Sequence, residues 1–147
     1  VVAGIGAGMG EAEMGYVLAD CSAGGLTPAQ WASRVADAFE RHGADLVVAE
    51  ANQGGEMVRS VLLQAAPNLP VRLVHATRDK RTRALPFAHL YERGRIRHAG
   101  TFPELEDQMC TFDGEGSSPD RLDALVWALA ELFPMVRQDA PRVRSLA

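Results

Sequence analysis

The run Asp45-Leu46-Val47-Val48-Ala49-Glu50 constrains this chain more than any other segment. Its continuous apolar centre is too short for a buried helix and suits a strand covered on both faces. Covering both faces takes helices, and the flanking segments supply them. Thr27-Pro28 opens a helix, with Thr27 as N-cap and Pro28 at the first helical position. Trp31, Val35, Ala38 and Phe39 recur at helical spacing before Gly43 ends it. Beyond the run, Asn52-Gln53-Gly54-Gly55 turns into a second helix, where Met57, Val58, Val61, Leu62 and Ala65 form one apolar stripe. Val71-Arg72-Leu73-Val74-His75 reads as the next strand. Alternation of this kind predicts an α/β layer structure with parallel strands and short crossovers.

The outer segments extend the pattern. Val1 to Gly6 is an apolar strand that starts with neither Met nor a polar lead-in, as an excised domain would. A Gly-rich loop, Gly6 to Gly10, leads to Gly15–Asp20 as the second strand of a hairpin. Lys80 to Arg93 reads as a helix, with Pro86 either kinking it or starting its regular part. Arg95 to His98 alternates like a short edge strand. Phe102 to Phe112 is a helix carrying Leu105, Met109 and Phe112, and Asp113 to Ser118 a polar loop. The last helix starts at Ser118-Pro119 and runs to about Phe133. Residues 1–133 are thus expected to form one domain, and residues 134–147 a mobile tail. With 147 residues, 47% hydrophobic and 23% charged, the chain is long enough for one sizeable core and is neither disordered nor fibrous. No apolar run approaches the ~20 residues of a membrane helix, and there is no secretory signal pattern. Cys21 and Cys110 stand in no metal-type spacing, so buried thiols in a reducing compartment are expected.

Charge is unevenly placed. Arg72, Arg78, Lys80, Arg81, Arg83, Arg93, Arg95 and Arg97 face only Asp79 and Glu92, so this stretch carries +6 in a chain of net −4. It is either a solvated face or a localised contact for a polyanion.

Carboxylates mark the candidate chemistry. Glu50 ends the most apolar strand, where open α/β sheets place their sites, although it could also begin an exposed loop. On the last helix Leu122, Leu125, Val126, Leu129 and Phe133 share a face. At ~100° per residue Asp123 lies roughly 110° from the centre of that stripe, at its border, and Asp120 nearly opposite. Asp120 has a plain role complementing the helix dipole; Asp123, followed by a run of apolar residues, has less of one. Two carboxylates beside a basic segment suit Mg²⁺ or Mn²⁺, which prefer oxygen ligands and share substrate phosphate oxygens. Gly54-Gly55 is either a tight turn or a place where phosphate meets backbone N–H groups. Trp31 and Trp127 are expected in the core, and His42, His75, His89 and His98 share no metal spacing.

Several segments resemble the nuclease domain of phage terminase large subunits, in the form found in prophages and gene transfer agents. Val48-Ala49-Glu50-Ala51-Asn52-Gln53-Gly54-Gly55-Glu56-Met57-Val58 resembles that domain's middle motif. Thr77-Arg78-Asp79-Lys80-Arg81-Thr82-Arg83-Ala84, followed by Leu90-Tyr91-Glu92-Arg93-Gly94-Arg95-Ile96, resembles its basic segment. Leu105-Glu106-Asp107-Gln108-Met109 is similar to its next helix, and Ser118-Pro119-Asp120-Arg121-Leu122-Asp123-Ala124-Leu125-Val126-Trp127-Ala128 to its final acidic motif.

The resemblance implies an RNase H-like mixed sheet flanked by helices. It implies a metal-dependent DNA endonuclease that cuts packaged concatemers in the cytoplasm of a bacterial host. Glu50 and Asp123 would be the metal ligands for Mg²⁺ or Mn²⁺, and Asp120 an accessory catalytic acid. Arg78, Lys80, Arg81 and Arg83 would bind double-stranded DNA. Expected partners are an N-terminal ATPase domain in the full-length protein, the portal and the small terminase subunit, with no membrane. No phosphate-binding loop occurs, and Lys80 is the only lysine, so the ATPase itself is not expected here. The family's first metal-binding Asp stands on a strand ahead of the one that Val1 to Gly6 matches. That first strand is therefore expected to be missing, and activity to be weak or absent unless another acid, Glu11 or Asp20 first, completes the site. A non-catalytic DNA- or capsid-docking module and another RNase H-like nuclease, such as a junction resolvase, are the alternatives.

Overall fold

The computed structural model describes residues 1–7, 13–52, 54–113 and 119–134. Strand β1 (Val2–Ala7) pairs antiparallel with β2 (Glu13–Ala19), as the hairpin reading expects. Helix α1 (Pro28–His42) starts at a capping box. The Thr27 hydroxyl accepts from the Gln30 N–H while the Gln30 side chain accepts from the Thr27 N–H. Strand β3 (Val47–Glu50), helix α2 (Gly55–Ala65) and strand β4 (Val71–Val74) follow, with β3 and β4 parallel. Helix α3 (Lys80–Glu92) runs unbroken through Pro86. Strand β5 (Ile96–His98) pairs parallel with β2 at an edge, and helices α4 (Pro103–Thr111) and α5 (Asp120–Leu132) close the order.

The strands divide into two sheets, a mixed one in the order β1-β2-β5 and a parallel pair β3-β4. Each has its own apolar cluster. Val17, Phe87, Ile96 and Leu105 gather around Leu122, Leu125 and Leu129 of α5. Ala32, Leu62 and Leu69 lie between α1, α2 and the β3-β4 pair. Helix α5 packs on both β1 and β3 and so bridges the two units.

Some local expectations change. All of β3 is half-buried rather than sealed on both faces, because among the described residues its sheet has two strands and one edge of β3 has no strand beside it. Met57 is 67% exposed, off the buried side of α2, and Cys110 is exposed on α4. His98 is a bridging residue: its Nδ1 lies 2.9 Å from Glu106 and its Nε2 2.9 Å from the Tyr91 hydroxyl. Burial, and then the Glu106 charge, push the Tyr91 hydroxyl upward. No helix among the described residues is long and apolar enough to cross a membrane. Of the polar loop, Gly114 to Ser118 lie outside the described residues, as do Glu11 and the tail beyond Pro134.

Candidate active site

Three chain segments converge on the start of α5. Its first turn carries Asp120 and Asp123, acids that suit the positive end of a helix. Pro119 at the N-cap offers no side-chain oxygen, so the free N–H groups need another acceptor. Gln108 of α4 supplies it: Oε1 accepts from the Arg121 N–H at 3.0 Å and the Leu122 N–H at 3.2 Å. The Arg121 guanidinium donates to Asp20 at the end of β2, 2.8 Å away. Burial pushes the Asp20 carboxyl upward, but the Ser22 hydroxyl and N–H, and then Arg121, outweigh it and hold it below the usual range. Pinned from two sides, this turn sets the position of Asp123.

Helix α3 brings the cations. Asp79 caps it, accepting from the Thr82 N–H at 2.9 Å and the Thr82 hydroxyl at 2.6 Å. Lys80 and Arg83, three residues apart, share a face of that first turn and aim it at α5. Arg83 Nη2 lies 2.9 Å from Asp123 Oδ1, and Lys80 Nζ 3.8 Å from Oδ2. The Arg83 and Asp123 side chains are only 10% and 12% exposed, while Lys80 is 41% exposed. Arg83 also lies over the Trp127 ring, its Cζ 4.6 Å from the centroid. Trp127 is half-buried and faces this cation, not the apolar centre expected of it.

Glu50 ends β3, and the Asn52 amide donates to its Oε1 at 2.7 Å. The Asn52 carbonyl in turn accepts from the Ala76 N–H at 2.8 Å, which ties the β3 end to the segment leading into α3. Gly54 adopts a left-handed φ of 72°. A Cβ on Gly55 would stand 2.1 Å from Ala51 Cβ. Backbone conformation and close packing therefore account for this pair of glycines as a tight turn.

The predicted residues thus divide. Asp123, Lys80 and Arg83 form one cluster. Glu50 lies on β3, a strand that α5 packs against. Asp120, Arg78 and Arg81 are exposed around the rim. Gln108 and Asn52, which fix the two carboxylate-bearing segments, were not marked by charge or periodicity. Hard carboxylate oxygens suit Mg²⁺ or Mn²⁺. Yet no three His, Cys, Asp or Glu side chains among the described residues are grouped to hold a metal, and both Asp123 oxygens already face cations. Chemically, the cluster combines an anionic group with donors suited to phosphate.

A family model described as a terminase RNaseH-like domain matches residues 2–132. No curated protein and no solved structure matches the chain.

Proposed function

The chain belongs to the terminase RNaseH-like domain family, a nuclease-type DNA-packaging module, and from that premise we propose that it is a divalent-metal-dependent endonuclease acting on double-stranded DNA. The observation that carries this reading is Asp123, a buried carboxylate held between Arg83 and Lys80 of the basic segment. Hydrolysis of a phosphodiester needs carboxylates for a cation and positive groups for the phosphate, and the two are adjacent here. Glu50 and Asp123 are the side chains that would hold Mg²⁺ or Mn²⁺. When bound, the ion would supply Lewis acidity and an activated water. Lys80 and Arg83 orient the phosphate backbone, while Arg78 and Arg81 extend the contact along the duplex. Asp120, exposed one turn away, serves as an accessory acid. The partners we propose are those of a packaging motor: an ATPase domain in the longer protein, the portal and the small subunit.

Because the described carboxylates do not group in threes, a non-catalytic DNA-docking role is the second reading. One experiment separates the two. Plasmid cleavage is followed with Mn²⁺ for the wild type, Glu50→Ala and Asp123→Ala, beside calorimetric Mn²⁺ titration and duplex binding across a salt series. The nuclease reading expects cleavage and Mn²⁺ affinity that both variants lose. It also expects duplex affinity to fall with salt at a slope of about −0.9 per phosphate contact. Duplex binding without cleavage, with Mn²⁺ affinity unchanged in both variants, would establish the docking role instead.

A further inference from the structure

Three N–H-bearing atoms beneath the basic segment are sealed from solvent and have no hydrogen-bond partner among the described residues: Arg83 Nε, Arg83 Nη1 and Trp127 Nε1. The side chain of Arg83 is nine-tenths buried, and its remaining nitrogen is committed to Asp123. Buried donors without acceptors cost stability, and native structures hold few of them. These three are neighbours, because the guanidinium lies on the indole ring. Arg83 and Trp127 both line a cleft of about 160 Å³ between α3 and α5. His75, Thr77, Arg78 and Thr82 line it together with Phe87 and Val126.

All three unpartnered groups donate and none accepts, so a ligand that pairs with them presents acceptor oxygens. Its charge follows from the surroundings. Arg78, Lys80 and Arg83 stand against Asp79 and Asp123, and Asp79 is engaged with Thr82, so the balance favours an anion. A phosphate group meets both requirements, since its oxygens accept strongly and it carries negative charge. The rim residues Arg78 and Arg81, both exposed, would contact the same polymer on either side of it.

We propose that the cleft between α3 and α5 is a phosphate-binding subsite in which Arg83 and the indole N–H of Trp127 donate to oxygens of a DNA backbone phosphate. This rests on the DNA-cleaving reading above and adds Trp127, which that reading leaves unused. Trp127 acts as a donor and as the platform that holds Arg83 flat. The donors are covered in the free protein, so side chains around the cleft shift to admit the phosphate, while Arg83 Nη2 keeps its contact with Asp123.

The test uses the whole chain with Trp31→Phe, which leaves Trp127 as the single tryptophan. With EDTA present, Trp127 emission is titrated with a DNA duplex and separately with inorganic phosphate. Anisotropy of a labelled duplex gives affinities for added Trp127→Phe and Arg83→Lys changes. The expected result is a saturable emission change with duplex and a weaker one with phosphate that duplex displaces. Each substitution should weaken duplex binding about tenfold, the loss of one hydrogen bond to a charged group. Thermal melts check folding, and Trp127→Phe carries the test if Arg83→Lys does not fold. Duplex affinity unchanged in a folded Trp127→Phe protein overturns the subsite and leaves the nuclease reading intact. An emission change that phosphate saturates and duplex cannot displace overturns DNA as the source of the phosphate. No duplex binding by the parent chain overturns both readings.

Discussion

Removing the Asp123 carboxylate isolates the energetics on which the candidate site depends. In Asp123→Ala the Arg83 guanidinium stays buried with its charge uncompensated, which costs about 3–5 kcal/mol in pairs of this kind. Lys80 contributes little to that figure, because an exposed partner at 3.8 Å is worth about 0–1 kcal/mol. The first turn of α5 also loses an acid, about 0.3–1 kcal/mol. Arg83→Met should cost less. It strips Asp123 of its main partner but also removes two unpartnered donors, each an existing penalty of about 1–3 kcal/mol. The double variant Asp123→Leu with Arg83→Met should fall within about 1 kcal/mol of wild type, since well-packed apolar residues commonly replace a buried pair without loss. Urea unfolding at neutral pH, with unchanged slopes, measures all of these. A cost below about 1 kcal/mol for Asp123→Ala would refute the reasoning, and so would a double variant whose loss equals the sum of the Asp123→Leu and Arg83→Met losses measured singly. A pair that stability alone does not require points to its use in binding.

Two further outcomes follow from other parts of the fold. Gly55→Ala places a methyl group 2.1 Å from Ala51 Cβ and should cost about 1–3 kcal/mol through overpacking. Thermal melting should fall by several degrees, and a melt indistinguishable from wild type would show that the β3–α2 turn relaxes freely. Acid should also weaken the fold through Asp20 and Glu106. Glu106 is held low by His98 and then by the Phe102 N–H, and Asp20 is held low as described. A carboxylate whose folded value is depressed stabilises above its unfolded value and loses that contribution as pH falls through the folded one. Melts from neutral pH down through the carboxylate range should therefore drop more steeply for wild type than for Asp20→Asn or Glu106→Gln, and parallel curves would contradict this.

Local signals in the sequence carried most of the fold. Thr27-Pro28 and Gly43 bound α1 because caps act within a few residues, and the α5 stripe and the Val58, Val61 and Leu62 part of the α2 stripe follow from helical period. Asp123 was legible as a border position for the same reason, and it is buried in the structure. Burial that depends on distant packing was not legible. Nothing near Val47 to Glu50 tells that their sheet has two strands among the described residues, and nothing near Met57 or Cys110 tells that no described element covers them. The site divides along the same line. The three-residue spacing of Lys80 and Arg83 puts them on one face, but which element that face meets is decided by tertiary contact. Gln108 as the cap of α5 is a partner thirteen residues away in sequence from Arg121, beyond the reach of any capping rule.

The division into two sheets affects how the chain behaves in solution. β1 pairs only with β2 and β3 only with β4, so each keeps one flank of main-chain donors and acceptors that no described strand satisfies. Such flanks either stay hydrated or recruit another extended segment, and they are where β proteins join end to end. Apolar Ile5, 44% exposed on β1, makes the first flank adhesive, and the short length of β3 limits the second. Self-association at high concentration should therefore begin at β1, and a charged residue in place of Ile5 should suppress it.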